Sequence, residues 1–364
     1  MKFKNVLIIG ELSGISRNLS VGFTSLGIKN KTISYGNGAR WRSVYDLNGP
    51  SILGYYPLKN IIPFIFLPRL LFFDLVVIVD KNTFNINFGI NRFLIYIIIK
   101  LSKVSIYWVA ACDSFSPKAL QKIAHNKKIC KGCLNDSNLK SCSLLNANQN
   151  KDHQMILKNI NYIAPAADDY TSVYELEYSG SKLINKINFA LDVSNIPFSE
   201  DFNSERKMSF YHGVTRPGFK GSESILRALK ILKQKYPLDV SVVSKNFIKP
   251  EDYIYELSKH DVLVDQLYGA GMGMNTLIGL SLGRIVISGI TKSNISKNIG
   301  DNSSPVFHFE DDSVDKIFEV LENVFLLRKK FSIISKNGRE FVEKNHDPKI
   351  IAQHFLRLKG YKYD

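Results

Sequence analysis

The chain lacks any uninterrupted apolar run of the ~18 residues that a membrane-spanning helix needs. Its longest candidates, residues 61–79 and 88–101, are cut by Arg69 and Asp74 and by Arg92 and Lys100. A secretory leader is also missing: residues 1–4 are basic, but the apolar stretch 6–9 is short and runs into Gly10 and Glu11. Both absences predict a cytoplasmic chain, at most peripheral to the inner face of a membrane. Cysteine is scarce, with four residues in 364. That is too few for a disulfide scaffold, and in a cytoplasmic chain disulfides are not expected. Acidic residues are short too: 33 Asp and Glu face 48 Lys and Arg, for a net charge of +15.

The basic excess is uneven. Residues 1–196 hold 23 Lys and Arg against 12 acids, a net of +11, whereas residues 197–364 hold 25 against 21, a net of +4. Such an excess points to an anionic partner: nucleic acid, anionic lipid or a phosphorylated substrate. Solubility and a Lys-rich genome explain it equally well. No Arg-rich stripe interleaves with aromatics, so nucleic acid is not expected.

At 45% hydrophobic and 22% charged residues, the composition is that of a globular protein. Its length predicts two domains. Apolar runs alternate with helical periodicity, which predicts an α/β fold: two Rossmann-like doubly wound domains facing a cleft, followed by C-terminal helices. Strands are expected at 6–9, 31–35, 74–80, 104–111 and 162–165, with helices at 15–26 and 88–102. The loop Gly36-Asn37-Gly38 ends the second strand. The polar segment 124–153 reads as part of a Cys-containing insertion spanning about 112–153. The charged stretch 199–207 reads as a linker. Beyond it, strands are expected at 208–214, 240–243, 262–266 and 285–288, with helices at 221–236, 250–260 and 274–282 and a helical tail from Ser313. The expected domains are 1–198 and 199–345. A helix at 346–364 packs back on the first.

Two segments carry the chemistry. The run Tyr211-His212-Gly213-Val214-Thr215-Arg216-Pro217-Gly218-Phe219-Lys220-Gly221 leaves a strand, turns, places two cations four apart and opens a helix. A diphosphate needs that combination of cationic side chains and free helix N–H groups. An ordinary strand–loop–helix connection with two solvated cations has the same spacing. The run Asp265-Gln266-Leu267-Tyr268-Gly269-Ala270-Gly271-Met272-Gly273-Met274-Asn275 also joins a strand to a helix, and its glycines let backbone approach phosphate.

Together these segments resemble the donor-binding domain of GT-B fold glycosyltransferases of the family 4-like group. Leu282-Gly283-Arg284-Ile285-Val286-Ile287 matches the group's closing pattern. The opening Val6-Leu7-Ile8-Ile9-Gly10-Glu11-Leu12-Ser13-Gly14, with Asn18-Leu19 and Gly22, is similar to bacterial members that build surface polysaccharides. So is the ending Arg339-Glu340-Phe341-Val342-Glu343-Lys344-Asn345-His346-Asp347 with Ile351-Ala352.

The resemblance implies a retaining sugar transfer from a UDP- or GDP-sugar to a lipid-linked or oligosaccharide acceptor, with no cofactor or metal required for catalysis. Arg216 and Lys220 would hold the donor diphosphate, and Gly271 and Gly273 would pack on phosphate or sugar. His212, Gly213, Asp265, Gln266, Met274 and Asn275 complete the expected donor site. The group's ribose-binding Glu falls on Ile278 here, and its partner Glu on Ala270. Isoleucine cannot accept a hydrogen bond from a ribose hydroxyl. A catalytically lapsed homologue that binds sugar nucleotide or a partner therefore stays open, as does a GT-B-shaped sugar-nucleotide epimerase.

In the N-terminal half, Asp113 follows a strand and is a candidate to orient the acceptor or move a proton. With Ser114 and Ser116 beside it, a helix cap fits as well. Glu11, in the first strand–helix loop, has the same standing. Cys130 and Cys133 have the spacing of a metal knuckle, with Cys142 nine residues on; Cys112, His125 or His153 would complete a structural zinc site. Incidental free thiols are the alternative. The apolar stretch 61–73 is broken by two prolines. It reads either as a patch that docks on an anionic membrane surface or as core under a loop.

Overall fold

The computed structural model describes residues 3–34, 67–81, 83, 89–116, 119, 147–200, 202, 206–246, 248–269, 271–290, 305–309 and 311–358. The chain forms two compact units. Residues up to Ser116, Leu144–Ala190 and Asp347 onward make the first, and Leu191–His346 forms the body of the second. The change of unit thus falls eight residues before the compositional boundary at 198/199.

The first unit is a parallel sheet wrapped by helices. In chain order its elements are β1 (Asn5–Ile9), α1 (Ile15–Ser25), β2 (Lys29–Ile33), β3 (Leu75–Ile78), α2 (Ile90–Lys100), β4 (Val104–Val109), α3 (Ala147–Asn159), β5 (Tyr162–Pro165) and α4 (Asp168–Glu177). The strands lie in the order β2-β1-β3-β4-β5. Strands β3 and β4 are buried along their whole length, as their unbroken apolar sequence requires of a sheet covered on both faces. Two helices were not anticipated, α3 and α4; α3 falls largely in the segment read as an insertion.

The second unit repeats the plan: β6 (Met208–Gly213), α5 (Pro217–Lys220), α6 (Ser222–Lys235), β7 (Val240–Lys245), α7 (Pro250–Ser258), β8 (Val262–Val264), α8 (Met274–Ser281), β9 (Ile285–Ser288), β10 (Val306–His308), α9 (Val314–Leu326) and α10 (Phe331–His346). Its sheet order is β10-β9-β8-β6-β7. Each sheet therefore places its first strand between its second and third, all parallel. The chain direction switches between β1 and β3 in one sheet and between β6 and β8 in the other. In open α/β sheets, ligands bind at the carboxyl ends of the strands flanking such a switch. Helix α6 covers the second sheet with Ile225, Ala228, Leu229 and Leu232, spaced at helical period and fully buried.

The stretch read as a linker is anchored: Arg284 donates to Ser199 O, and the Phe202 ring meets Phe331 at 5.2 Å. Helix α11 (Pro348–Leu356) belongs to the first unit, where it lies along α1. It seats Phe355 edge-on against Trp108 at 5.1 Å and beside Phe23 at 6.3 Å. Gly22 permits this approach, because a Cβ there would come within 1.9 Å of the Pro348 carbonyl oxygen.

Candidate functional site

In the second unit, the two loops singled out by sequence follow β6 and β8, the strands that flank the switch. They are stitched together. Leu267 N donates to Lys220 O at 2.9 Å. Gly221, between α5 and α6, has φ +66, and a Cβ there would meet the Leu267 side chain at 2.6 Å. Only glycine combines that backbone with that closeness.

Lys220 is buried, and its Nζ donates to Asp265 Oδ1 at 3.2 Å. Asp265 accepts two further bonds from the start of α8, from Asn275 Nδ2 at 3.3 Å and Thr276 Oγ1 at 3.0 Å. One carboxylate thus ties the cation of the first loop to the helix that follows the second. Arg216 is exposed at the N-cap of α5, its guanidinium 4.3 Å from the Phe219 ring centroid.

His212 is fully buried. Val264 O can only accept, so His212 Nδ1 donates to it at 2.8 Å, and Nε2 then accepts the Ser222 hydroxyl at 2.8 Å. Burial pushes its pKa down to about 4, so the ring stays neutral. This fixes His212 as a support that joins β8 to the start of α6. Gly213 ends β6 beside Lys220, 3.8 Å from a Cβ built on the glycine to Nζ. Gly273 caps α8 and faces open space, with nothing within 4 Å of a Cβ. Gly271 and Met274 are buried and Gln266 half-buried. Ile278 is buried on α8; Ala270 lies outside the described residues. Sequence reasoning missed Thr276 and Ser222, whose hydroxyls gain meaning only from partners brought in by the fold.

In the first unit, Asp113 follows β4 and is fully buried. Its Oδ1 accepts from Phe115 N at 3.0 Å, the local turn that the capping alternative describes. Its Oδ2 accepts the Tyr174 hydroxyl, and His153 Nε2 lies 3.3 Å from the same oxygen and 2.8 Å from Tyr174 Oη. Tyr174 gives its proton to Asp113, so His153 Nε2 is a donor, and Nδ1 pairs with Ser114 Oγ. Burial alone would raise the Asp113 pKa; His153, Tyr174 and Lys81 outweigh it and hold the carboxyl below its ordinary value. Burial first, then Tyr107 and Asp113, push the Tyr174 phenol well above its usual range, so it remains a donor. Of these four side chains only Ser114 keeps exposed surface. Asp113 therefore positions its neighbours and presents no surface of its own to an acceptor.

Glu11 lies over the start of α1, against the N–H groups of Leu12, Gly14, Ser16 and Arg17. Burial still raises its pKa, and its Oε1 has no hydrogen-bond partner.

Cys112 is exposed, and both ring nitrogens of His153 are engaged as above. Cys130, Cys133, Cys142 and His125 lie outside the described residues, as do the loop at 36–38 and residues 61–66 of the apolar stretch. Among the described residues no group of three or more His, Cys, Asp or Glu side chains is arranged to hold a metal ion. No helix among them is long and apolar enough to cross a membrane.

No family model and no curated protein matches the chain. Solved structures do. HepE from Anabaena, in complex with UDP and glucose, is 9% identical with a TM-score of 0.57, covering 97% of this chain and 98% of that one. Sucrose-phosphate synthase from Thermosynechococcus elongatus is 12% identical with a TM-score of 0.61, covering 97% of each chain. A glycosyltransferase from Rickettsia africae is 13% identical with a TM-score of 0.55, covering 98% of this chain and 97% of its own. With two repeats of one parallel-sheet plan and these neighbours over nearly its whole length, the chain has the GT-B fold.

Proposed function

We propose that the protein is a glycosyltransferase that takes a sugar from a UDP- or GDP-sugar. The transfer proceeds with retention, to a lipid-linked or oligosaccharide acceptor in the synthesis of a bacterial surface polysaccharide. The observation that carries this reading is the stitched pair of loops at the switch between β6 and β8, with Arg216 exposed and Lys220 held by Asp265 at their centre. Supporting it, HepE binds UDP-glucose on the same fold.

In this reading Arg216 and Lys220 offset the negative charge that grows on the leaving diphosphate. Gly273, facing open space at the N-terminus of α8, leaves backbone N–H groups accessible to phosphate. The Ser114–His153–Asp113 chain gives the acceptor-side unit a hydrogen-bonded path behind one partly exposed hydroxyl.

The test is a thermal-shift screen of UDP, GDP and their sugars. A ligand at 100 times its dissociation constant adds ~2.7 kcal/mol. If no nucleotide raises Tm, the reading is lost. Ile278 favours a second reading, binding without transfer, since a buried aliphatic side chain stands where the resemblance places a ribose-binding carboxylate. A nucleotide that stabilises the protein, with no nucleoside diphosphate released in the presence of any acceptor extract, would select it. Conversion of the free sugar nucleotide to its epimer would select the epimerase.

A further inference from the structure

The carboxyl ends of the first sheet carry Glu11 and Asp113. The opposite, amino-terminal edge has a different character. The pairing of Asn5 with Lys29, Val6 with Leu75 and Leu75 with Val104 aligns the starts of β1 to β4 along one line. Lys103 N donates to Phe73 O at 3.2 Å, which brings residues 72–73 beside 101–103.

Phe72 at this edge is 70% exposed and Leu101 40% exposed. Phe72 also has φ +65. A bulky side chain in that left-handed region is strained, and such strain clusters at functional sites. The chain therefore accepts both strain and exposure to present this ring. Around it stand Lys4, Lys29, Arg69, Lys100 and Lys103, all exposed. The acid at the strand starts is Asp74, which is buried and already bound by Lys103 Nζ and by Lys4 N. Tyr96, one turn back along α2, extends the apolar strip and lies under Lys100. Two further acids, Glu175 and Glu177, end α4, which follows β5.

We infer that the amino-terminal edge of the first sheet docks on an anionic lipid surface, with Phe72 and Leu101 entering the headgroup layer and the surrounding lysines and Arg69 meeting lipid phosphates. This deepens the lipid-linked reading above by naming the face that meets the bilayer. Two or three exposed apolar side chains fall far short of the ~800 Å² per partner of a standard protein interface. A second copy docking through the same face would set lysine against lysine. Cations scattered around a small apolar wedge suit a diffuse field of negative charge, where each Lys or Arg near the surface is worth ~1 kcal/mol.

The experiment is co-sedimentation of the full chain with vesicles of phosphatidylcholine alone or mixed with phosphatidylglycerol, at low and high salt. UDP titration on the same samples lets docking and donor binding fail separately. Wild type should bind the mixed vesicles at low salt, release at high salt, and leave the neutral ones. Phe72→Gly should bind about tenfold more weakly, and its Tm should rise, because glycine adopts φ +65 without strain. Lys29→Gln and Lys100→Gln should each weaken binding about fivefold. UDP affinity should stay unchanged throughout. Failure of wild type to bind mixed vesicles overturns the inference, as does binding indifferent to all three substitutions. A dimer in solution that Phe72→Gly converts to monomer would assign the face to a second copy instead.

Discussion

Lys220 and Asp265, 45 residues apart in sequence, form an ion pair with side chains only 8% and 2% exposed. Arg216, four residues before Lys220, is exposed. Two cations that look equivalent in sequence therefore have different structural standing. Lys220→Ala leaves the buried Asp265 with Asn275 and Thr276 as its donors among the described residues, and breaking a buried pair costs about 3–5 kcal/mol. Thermal melts should show that loss, together with loss of nucleotide binding. Arg216→Ala should leave Tm nearly unchanged and weaken nucleotide binding by ~1.5–3 kcal/mol. If Arg216→Ala binds UDP and GDP as wild type does, Arg216 is not a diphosphate ligand.

The neutral His212 predicts a pH dependence of stability. Its pKa is lowered to about 4 in the folded protein, against an unfolded value of 6.5. Above pH 6.5 neither state takes up the proton. Between 6.5 and 4 the unfolded chain binds it and the folded chain does not, so stability falls by up to ~1.4 kcal/mol per pH unit. Burial lowers the pKa values of His260 and His354 as well, with the same sign. Melting curves across this range should slope downward toward acid. His212→Asn should be less stable at neutral pH but show a shallower slope; an unchanged slope would mean that His212 is not the group responsible.

In the first unit, Tyr174→Phe removes the hydroxyl that Asp113 and His153 share. Leaving a buried carboxylate one donor short costs about 1–3 kcal/mol. The Asp113 pKa, lowered in the wild type, should move back up. Stability that persists above the unfolded value near 3.8 and disappears as pH falls through the folded one should then be lost at a higher pH. UDP affinity should not change, because the loops proposed to hold the donor belong to the other unit. A shift in UDP affinity would contradict this separation.

Gly22→Ala tests the seat of α11. The new Cβ would lie 1.9 Å from a backbone oxygen, which cannot swing aside as a side chain would. Overpacking of this kind costs about 1–3 kcal/mol or more. Limited proteolysis should cut before residue 348 in the variant and leave wild type intact there. Equal resistance in both would show that α11 is not held at this point.

Much of the architecture is legible in the residues. Strands β5 and β9 occupy the spans expected from sequence, 162–165 and 285–288, each a short apolar run opened by a polar residue, Asn161 or Arg284. Helix α3 is not legible. Its Asp152 pairs with Arg92 and its buried His153 with Tyr174 and Asp113, so polar side chains interrupt the apolar period that Ile156 would otherwise mark. Strand β10, with three residues, is too short to leave a period. In the loops after β6 and β8 the residue types can be read, but the Lys220–Asp265 bond cannot. It exists because β6 and β8 are neighbours, which is a property of the sheet and not of the intervening sequence.

The place of α11 also sets an order of events during synthesis. The first unit takes its last helix from the far end of the chain, after all of Leu191–His346 has been made. At roughly 5–20 residues per second, the ribosome needs about 10–30 s to supply that stretch. Throughout that interval Phe23 and Trp108 lack Phe355, their eventual neighbour, and present apolar surface to solvent. The second unit needs nothing made after His346. The half of the molecule that is translated first is therefore the half that finishes folding last, and nascent-chain chaperones would find their binding site there.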